Sequence, residues 1–452
     1  MHSPLRRIRL AVFCIFIAAS SILQGQAPKG DPALSAADKD REMKFVVIVT
    51  RHGVRSPTGK PGALNQYSIE PWPTWTAQPG YLTEHGAHLM TLFGTYDREQ
   101  LAAQGLVAKS GCDDAAHIRI VADSDQRTRE TGKALAAGLA PGCSLAVTAL
   151  PEGTPDPLFH SLEAGLGHPD KALATAAVSG RIGANPEGIK EAYRPQLQAL
   201  QDILRSCHPG VACPANGQAA PQSIFDIPAT IAEGKGDHLV ELRTPLSVAS
   251  TMSENVLLEY TEGMDAANVG WGHVDADKLR ALLQLHTASE DIVQRTPYIA
   301  QAQSSNLLFH VLRSMEQEAT LGQETAGHSV PGSLTKPGDR VLILVGHDTN
   351  LANIAGALGL SWLIDGRRDD TPPGGALLFE LWKSHSTGEF SVRTFYAAQT
   401  LDQMRNSTPL SLNTPPERVP VFVPGCSGAD GSCTWSGFQQ AVRAGTSSAF
   451  TQ

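Results

Sequence analysis

The chain has 452 residues, 41% hydrophobic and 18% charged, with a formal charge of −9. This composition is globular, with length enough for a large core, and it excludes a low-complexity or disordered chain. The acidic balance leaves no footprint for nucleic acid, so any anionic substrate must be drawn by a local cationic pocket and not by the global field.

At the N-terminus, Arg6, Arg7 and Arg9 precede an apolar or small-residue run from Leu10 to Leu23, and Gly25-Gln26-Ala27 follows with small residues. A basic n-region, a short h-region and a small-residue cleavage site predict a signal peptide over residues 1–27, and hence a periplasmic or secreted protein. Without those arginines, 33 basic residues remain against 45 acidic ones. No later stretch is long and apolar enough for a membrane-spanning helix. Residues 28–42 read as a polar lead-in.

Lys44-Phe-Val-Val-Ile-Val-Thr50 is a continuous β-branched and aromatic run, the pattern of a strand buried on both faces. Gly80-Tyr-Leu-Thr83 reads as a helix start. His85 and His88 behind it lack a third ligand cluster, so they are not taken as a metal pair. His117-Ile-Arg-Ile-Val121 is a second strand, followed by polar residues from Asp123 to Arg127 and an Ala-rich helix over Thr128 to Leu139. Helical spacing recurs at Val248, Met252, Val256 and Tyr260, with Gly263 placed to end that helix. It recurs again at Leu279, Leu282, Leu283 and His286, where the histidine reads as a core residue. Arg340-Val-Leu-Ile-Leu-Val345 is a third strand, running directly into His347-Asp348.

Three strands that each deliver polar side chains at their carboxyl ends predict an α/β fold with a mostly parallel central sheet flanked by helices, and a site at the strand tips. The expected catalytic domain is split, over 43–150 and 335–452. A mainly helical domain, over 155–330, is inserted between the two parts.

Of seven cysteines, Cys14 lies in the leader. Cys112, Cys143, Cys207, Cys213, Cys426 and Cys433 remain, an even number suited to disulfides in an exported chain. Fifteen pairings are possible, and neighbour pairing (112 with 143, 207 with 213, 426 with 433) is the simplest. No C-x-x-C or Cys/His spacing suggests zinc.

The strongest chemical signal is Arg51-His52-Gly53-Val54-Arg55-Ser56-Pro57 at the end of the first strand. Arginine offers phosphate a planar fork of donors. Histidine supplies an imidazole nucleophile or base, and the glycine lets the backbone turn. About 300 residues later comes Gly346-His347-Asp348-Thr349-Asn350. With these two motifs the chain resembles the histidine acid phosphatase family of the histidine phosphatase superfamily. It is most similar to the bacterial periplasmic acid phosphatase–phytase group. The resemblance extends through Trp72-Pro-Thr-Trp75, Asp125-Gln-Arg-Thr-Arg129, Asp156-Pro-Leu-Phe159, Gly270-Trp-Gly272, Gln294-Arg-Thr-Pro297, Thr371-Pro-Pro-Gly-Gly375 and the segment Thr408 to Pro416.

The resemblance implies a phosphoglycerate-mutase-like sheet and hydrolysis of small phosphate monoesters through a phosphohistidine. It implies no cofactor, no metal, no nucleic-acid partner and no membrane partner after leader removal, and a monomeric enzyme. By motif, His52 is the nucleophile and Asp348 the proton donor. Arg51, Arg55, Arg127 and His347 hold the phosphoryl oxygens, and Thr58, Thr349 and Glu254 lie near the substrate. Neighbouring cysteines pair in that group. Arg127 is selected over Arg129, which is expected to pair with an acidic neighbour. Trp72 and Trp75 are candidates for the pocket mouth or for loop packing.

The chain departs from the phytase pattern outside the reacting centre. Gly59 stands where a lysine is usual, Gln303 where an arginine is usual, and Thr251 where a methionine is usual. Phytate specificity is thereby weakened as an expectation. Against a glucose-1-phosphatase, whose His-Asp pair is typically followed by serine, stands Thr349.

Overall fold

The computed structural model describes residues 40–60, 62–213, 221–236, 238–320 and 329–452. The leader expected at 1–27 lies outside the described residues.

The central sheet has eight strands: β1 (Arg41–Arg51), β2 (Ile118–Ala122), β3 (Val147–Thr148), β4 (Val341–Gly346), β5 (Ala376–Ser384), β6 (Phe390–Ala398), β7 (Glu417–Pro420) and β8 (Cys433–Thr434). Their order is β7-β6-β5-β1-β4-β2-β3, with β8 also paired to β6. β1, β4, β2 and β3 run parallel, and the three strands expected from the sequence are the adjacent trio β1, β4 and β2. An antiparallel meander from β5 onward extends the sheet past β1.

The continuous apolar run of β1 follows from burial on both faces. Val46 and Ile48 pack with Met90 and Phe93 of α1 (Glu84–Ala103) and Leu135 of α2 (Gln126–Leu139). Phe45, Val47 and Val49 point the other way, as the two-residue period requires, into a layer with Leu308, Val311 and Ile354. A second core lies around α3 (Pro245–Thr261), α4 (Ala276–Ile292) and the first turns of α5 (Pro297–Ala319), with Tyr67, Leu401 and Phe450 packed into it from outside those helices. α5 joins the two cores: Ile299 and Ala302 lie in the helical one, while Leu308 and Met315 lie against the sheet. α6 (Asp348–Leu358) follows β4 directly.

Local rules place the helix ends. Thr83 caps α1 by accepting from the Gly86 amide. Thr244 and Ser247 close a capping box on α3, and Gly263, at φ 77°, turns the chain just beyond it. Cys112–Cys143, Cys207–Cys213 and Cys426–Cys433 are disulfide-bonded, the neighbour pairing. Among the described residues no helix is long and apolar enough to cross a membrane.

Several carboxyl groups are buried without a cation close enough to ionise them. Burial pushes Asp97 up to about 7, against a smaller opposing pull from Arg418. Burial also pushes Glu259 on α3 up to about 8, although its Oε2 accepts from the Gly270 amide at 2.9 Å. These groups hold protons in the fold that the unfolded chain, with carboxyls near their ordinary range of about 4, releases. Their contribution is fully present below about pH 4 and is lost as pH rises towards the folded values. The melting temperature is therefore expected to fall between about pH 5 and pH 8, and Glu259→Gln should flatten that slope. Calorimetric scans across the interval would show a flat or rising profile if these groups were ionised.

Candidate active site

The parallel strands bring the distant motifs together. His52 is the first residue after β1 and His347 the first after β4. The His52 amide donates to the Gly346 carbonyl at 2.9 Å, and the Gly374 amide donates to the His52 carbonyl at 3.0 Å. The two imidazole rings lie 5.6 Å apart, edge to face. Gly53 is required by close approach: a Cβ there would sit 2.8 Å from Met90 Cγ and 3.1 Å from the Gly86 carbonyl. Its φ is not positive, so helix packing, and not the tight turn expected from the sequence, makes it glycine. Gly346 is similarly constrained, since a Cβ would meet Asn350 Oδ1 at 2.5 Å.

His52 is buried, with Nδ1 2.8 Å from the Gly53 carbonyl. A carbonyl only accepts, so Nδ1 carries the proton and Nε2 presents its lone pair. Burial, together with Arg51, Arg127 and Arg55, holds His52 well below the usual histidine range. The ring is therefore biased towards its neutral form.

Arg51 is fully buried and donates through Nη1 to the Thr371 carbonyl at 2.6 Å. Its Nη2 contacts the Glu254 carboxylate and lies 3.0 Å from Asp348 Oδ2. Arg55 Nη2 donates to the same Glu254 oxygen at 2.9 Å. Glu254, on α3, thus faces inward and ties two guanidiniums together. Burial alone would raise Glu254, but Arg55 and Arg51 bring it below the ordinary carboxylate range. The same contest at Asp348, where burial is outweighed by Arg51, His286 and Arg55, leaves it strongly depressed.

Arg127 stands at the start of α2, which begins at Gln126, earlier than the sequence suggested. Two residues apart on a helix, Arg127 and Arg129 diverge. Arg127 Nη2 lies 2.6 Å from Asp125 and 3.4 Å from His347 Nδ1, while Arg129 approaches Glu152 at 3.9 Å. Thr58 is exposed; its Cγ2 and Arg127 Nη1 both lie beside Gly80, 3.4 and 3.7 Å from where a Cβ would stand. The Thr349 amide donates to Asp348 Oδ1 at 2.9 Å.

Sequence reasoning missed the support behind His347. Asp123, the first residue after β2, accepts from His347 Nε2 at 2.6 Å and lies 3.1 Å from His160 Nε2. The signal available was the strand end at Asp123, one of three such tips. Nothing local marks His160. Donor atoms of Asp123, His160 and His347 lie within 4.8 Å of one another. Both short N···O separations are those of hydrogen bonds, and sharing one carboxylate between two imidazoles accounts for the cluster. Behind Asp348, His286 is buried with Nδ1 3.1 Å from Ser250 Oγ, and burial pushes Glu290, one turn further along α4, up to about 7.

Other candidates have structural roles. His85 Nε2 bonds to the Met404 carbonyl at 2.9 Å. Trp72 meets Trp271 edge to face, with ring centroids 4.8 Å apart, and Trp75 packs on the same helical core.

The comparisons agree with this geometry. Residues 42–397 match the family described as histidine phosphatase superfamily (branch 2). The chain is 36% identical over 414 residues to phytase AppA of Escherichia coli (strain K12), covering 91% of this chain and 93% of that protein. It is 29% identical over 421 residues to a glucose-1-phosphatase of Providencia rettgeri, covering 91% and 94%. The structure of Hafnia alvei phytase in complex with tartrate superposes with a TM-score of 0.81 at 34% identity, covering 91% of this chain and 99% of that one. With its paired strand-tip histidines and buried arginines, the chain belongs to the histidine phosphatase superfamily, branch 2.

Proposed function

We propose that this protein is an exported, monomeric acid phosphatase that hydrolyses phosphate monoesters, phytate among them, through a phosphohistidine on His52. The observation that carries the reading is a neutral imidazole with a free Nε2, set among three guanidiniums and one strand away from a carboxyl acid.

The reaction divides among these residues by charge. An arriving phosphate dianion displaces Glu254 and Asp348 as partners of Arg51 and Arg55, and takes Arg127 as well. His347 donates from Nδ1 after gaining a second proton, with Asp123 stabilising the resulting imidazolium from behind. His52 Nε2 forms the P–N bond as the P–O bond breaks. Asp348 protonates the departing alkoxide, and as carboxylate it then takes a proton from the water that attacks the phosphohistidine. Phosphate leaves and His52 is restored. Positioning and charge stabilisation supply most of the acceleration in such displacements. Removing one preorganised donor costs about 10²–10³ in rate. Thr58 and Thr349 contact the substrate at the rim, and the helical segment 155–330 shapes specificity.

A panel of an aryl phosphate, glucose 1-phosphate and phytate tests the proposal. The expected result is acid-favoured turnover of the aryl phosphate and phytate, with glucose 1-phosphate slower. Folded protein that turns over none of them at any pH would overturn it, and tight binding without turnover would identify a phosphate-ester binding protein instead.

A further inference from the structure

Glu254 sits where an anion would bind. Arg51 spends Nη1 on the Thr371 carbonyl and Arg55 spends Nη1 on the Ser56 carbonyl, at 2.6 and 3.1 Å. Each guanidinium therefore turns Nη2 to the site, and Glu254 Oε1 contacts both of these nitrogens. Asp348 Oδ2 lies 3.0 Å from the same Arg51 nitrogen. The side chains of Glu254 and Asp348 are only 13% and 17% exposed, so neither can swing out into water as Asp125, 35% exposed beside Arg127, can. An anion that uses the two Nη2 donors is placed against the Glu254 carboxylate.

Two anions sharing one set of donors cannot both stay ionised at little cost, and the weaker acid takes a proton. Asp348 and His347 take protons that the displacement uses. Glu254 has no such part, so a proton on it serves binding alone. The ionisable groups around it are Arg51 on β1, Arg55 just beyond that strand, Asp348 at the start of α6, and His286 and Glu290 on α4. In the empty site Arg55 and Arg51 outweigh burial and keep Glu254 ionised. Glu290 shows what this neighbourhood does to a carboxyl with no guanidinium of its own. Its Oε2 is buried without a hydrogen-bond partner among the described residues, and burial pushes the group up to about 7.

We propose that Glu254 takes one proton from solvent when an anion fills the site, changing from the counter-ion of Arg51 and Arg55 into a neutral carboxylic acid that donates to the anion. Affinity is then tied to proton uptake and falls as pH rises from the ordinary carboxylate range towards the value Glu254 has in the complex. The acid preference of the enzyme has two sources: Glu254 acts on binding and so on KM, whereas Asp348 acts on the chemical step and so on kcat. This rests on the phosphomonoesterase reading above and assigns a further residue to it.

Inorganic sulfate is the probe, because it stays a dianion and does not itself titrate in the relevant range. Its inhibition constant against 4-nitrophenyl phosphate hydrolysis is measured from about pH 5 to pH 7 in the wild type and in Glu254→Gln, whose amide keeps the size and hydrogen bonding of the neutral acid. Each proton taken up raises the inhibition constant about 10-fold per pH unit. Asp348 and His347 contribute to the slope in both proteins, so the difference isolates Glu254. The variant's slope should be lower by about one, and at pH 7 it should bind sulfate about 10-fold more tightly than the wild type. A glutamate that only holds the arginines in place predicts the reverse, weaker binding in the variant at every pH. That weakening, or an unchanged slope, would overturn the proposal. Should Glu254→Gln not fold, infrared difference spectra of Asp348→Asn with and without sulfate give a second reading. A carboxylate band should be lost and a carboxylic-acid band gained, and the absence of that exchange overturns the proposal. A wild type that passes the infrared test but does not hydrolyse the aryl ester would sink the phosphatase reading and leave the proton switch standing.

Discussion

His52→Ala is expected to lower turnover of every phosphate ester by about 10⁴-fold or more, because no other group can open the displacement. Its Nε2 lone pair faces the arginines while Nδ1 is held by the Gly53 carbonyl. An alanine leaves the cationic nest intact, so the variant should still bind inorganic phosphate. Rapid acid-free quenching of the wild type with radiolabelled substrate should trap an acid-labile phosphoenzyme that is absent from the variant. Trapping the same adduct in the alanine variant would place the nucleophile elsewhere.

Asp348→Asn should separate the two halves of the reaction. With a good aryl leaving group, phosphorylation needs little proton donation, and the variant should form the phosphoenzyme at a rate near the wild type's. With an alkyl phosphate, loss of the general acid is expected to cost about 10²–10⁴-fold. Equal loss on both substrates in single-turnover measurements would remove Asp348 from the proton-donor role. The pH profile carries the same information. In the empty site Arg51, 3.0 Å away, and its neighbours hold Asp348 ionised. A bound phosphate dianion neutralises those cations and raises the carboxyl towards its ordinary range, so the acid form is populated in the complex and kcat on alkyl esters falls as pH rises through that value. His52 works in the same acidic window because its pKa is depressed, and its lone pair survives where an ordinary histidine would be protonated.

Asp123 has a related but quieter part. Buried, and bonded to both His160 and His347, it is held below the usual carboxylate range, because those two hydrogen bonds outweigh the effect of burial. A fixed negative charge there selects the His347 tautomer that turns Nδ1 towards Arg127 and the phosphate position.

Much of this protein was legible before any coordinates. β1, β2 and β4 could be read because a strand covered on both faces must be apolar at consecutive positions, a purely local consequence of burial. Arg51, His52 and Asp348 could be read because motif chemistry sits at the tips of those strands. β5 was not singled out, although Ala376-Leu-Leu-Phe-Glu-Leu-Trp382 is nearly as apolar and follows the Thr371–Gly375 motif directly, because it ends in no motif of its own. What only the tertiary structure decided were relations between residues far apart in the chain. Glu254 bridges Arg51 and Arg55, and His160 reaches Asp123. Sequence determines which segments must be buried and which residues carry chemistry, since both depend on neighbours along the chain. Partners across space depend on how helices of the inserted segment pack on the sheet, and that packing energy is shared among dozens of side chains with no local signature.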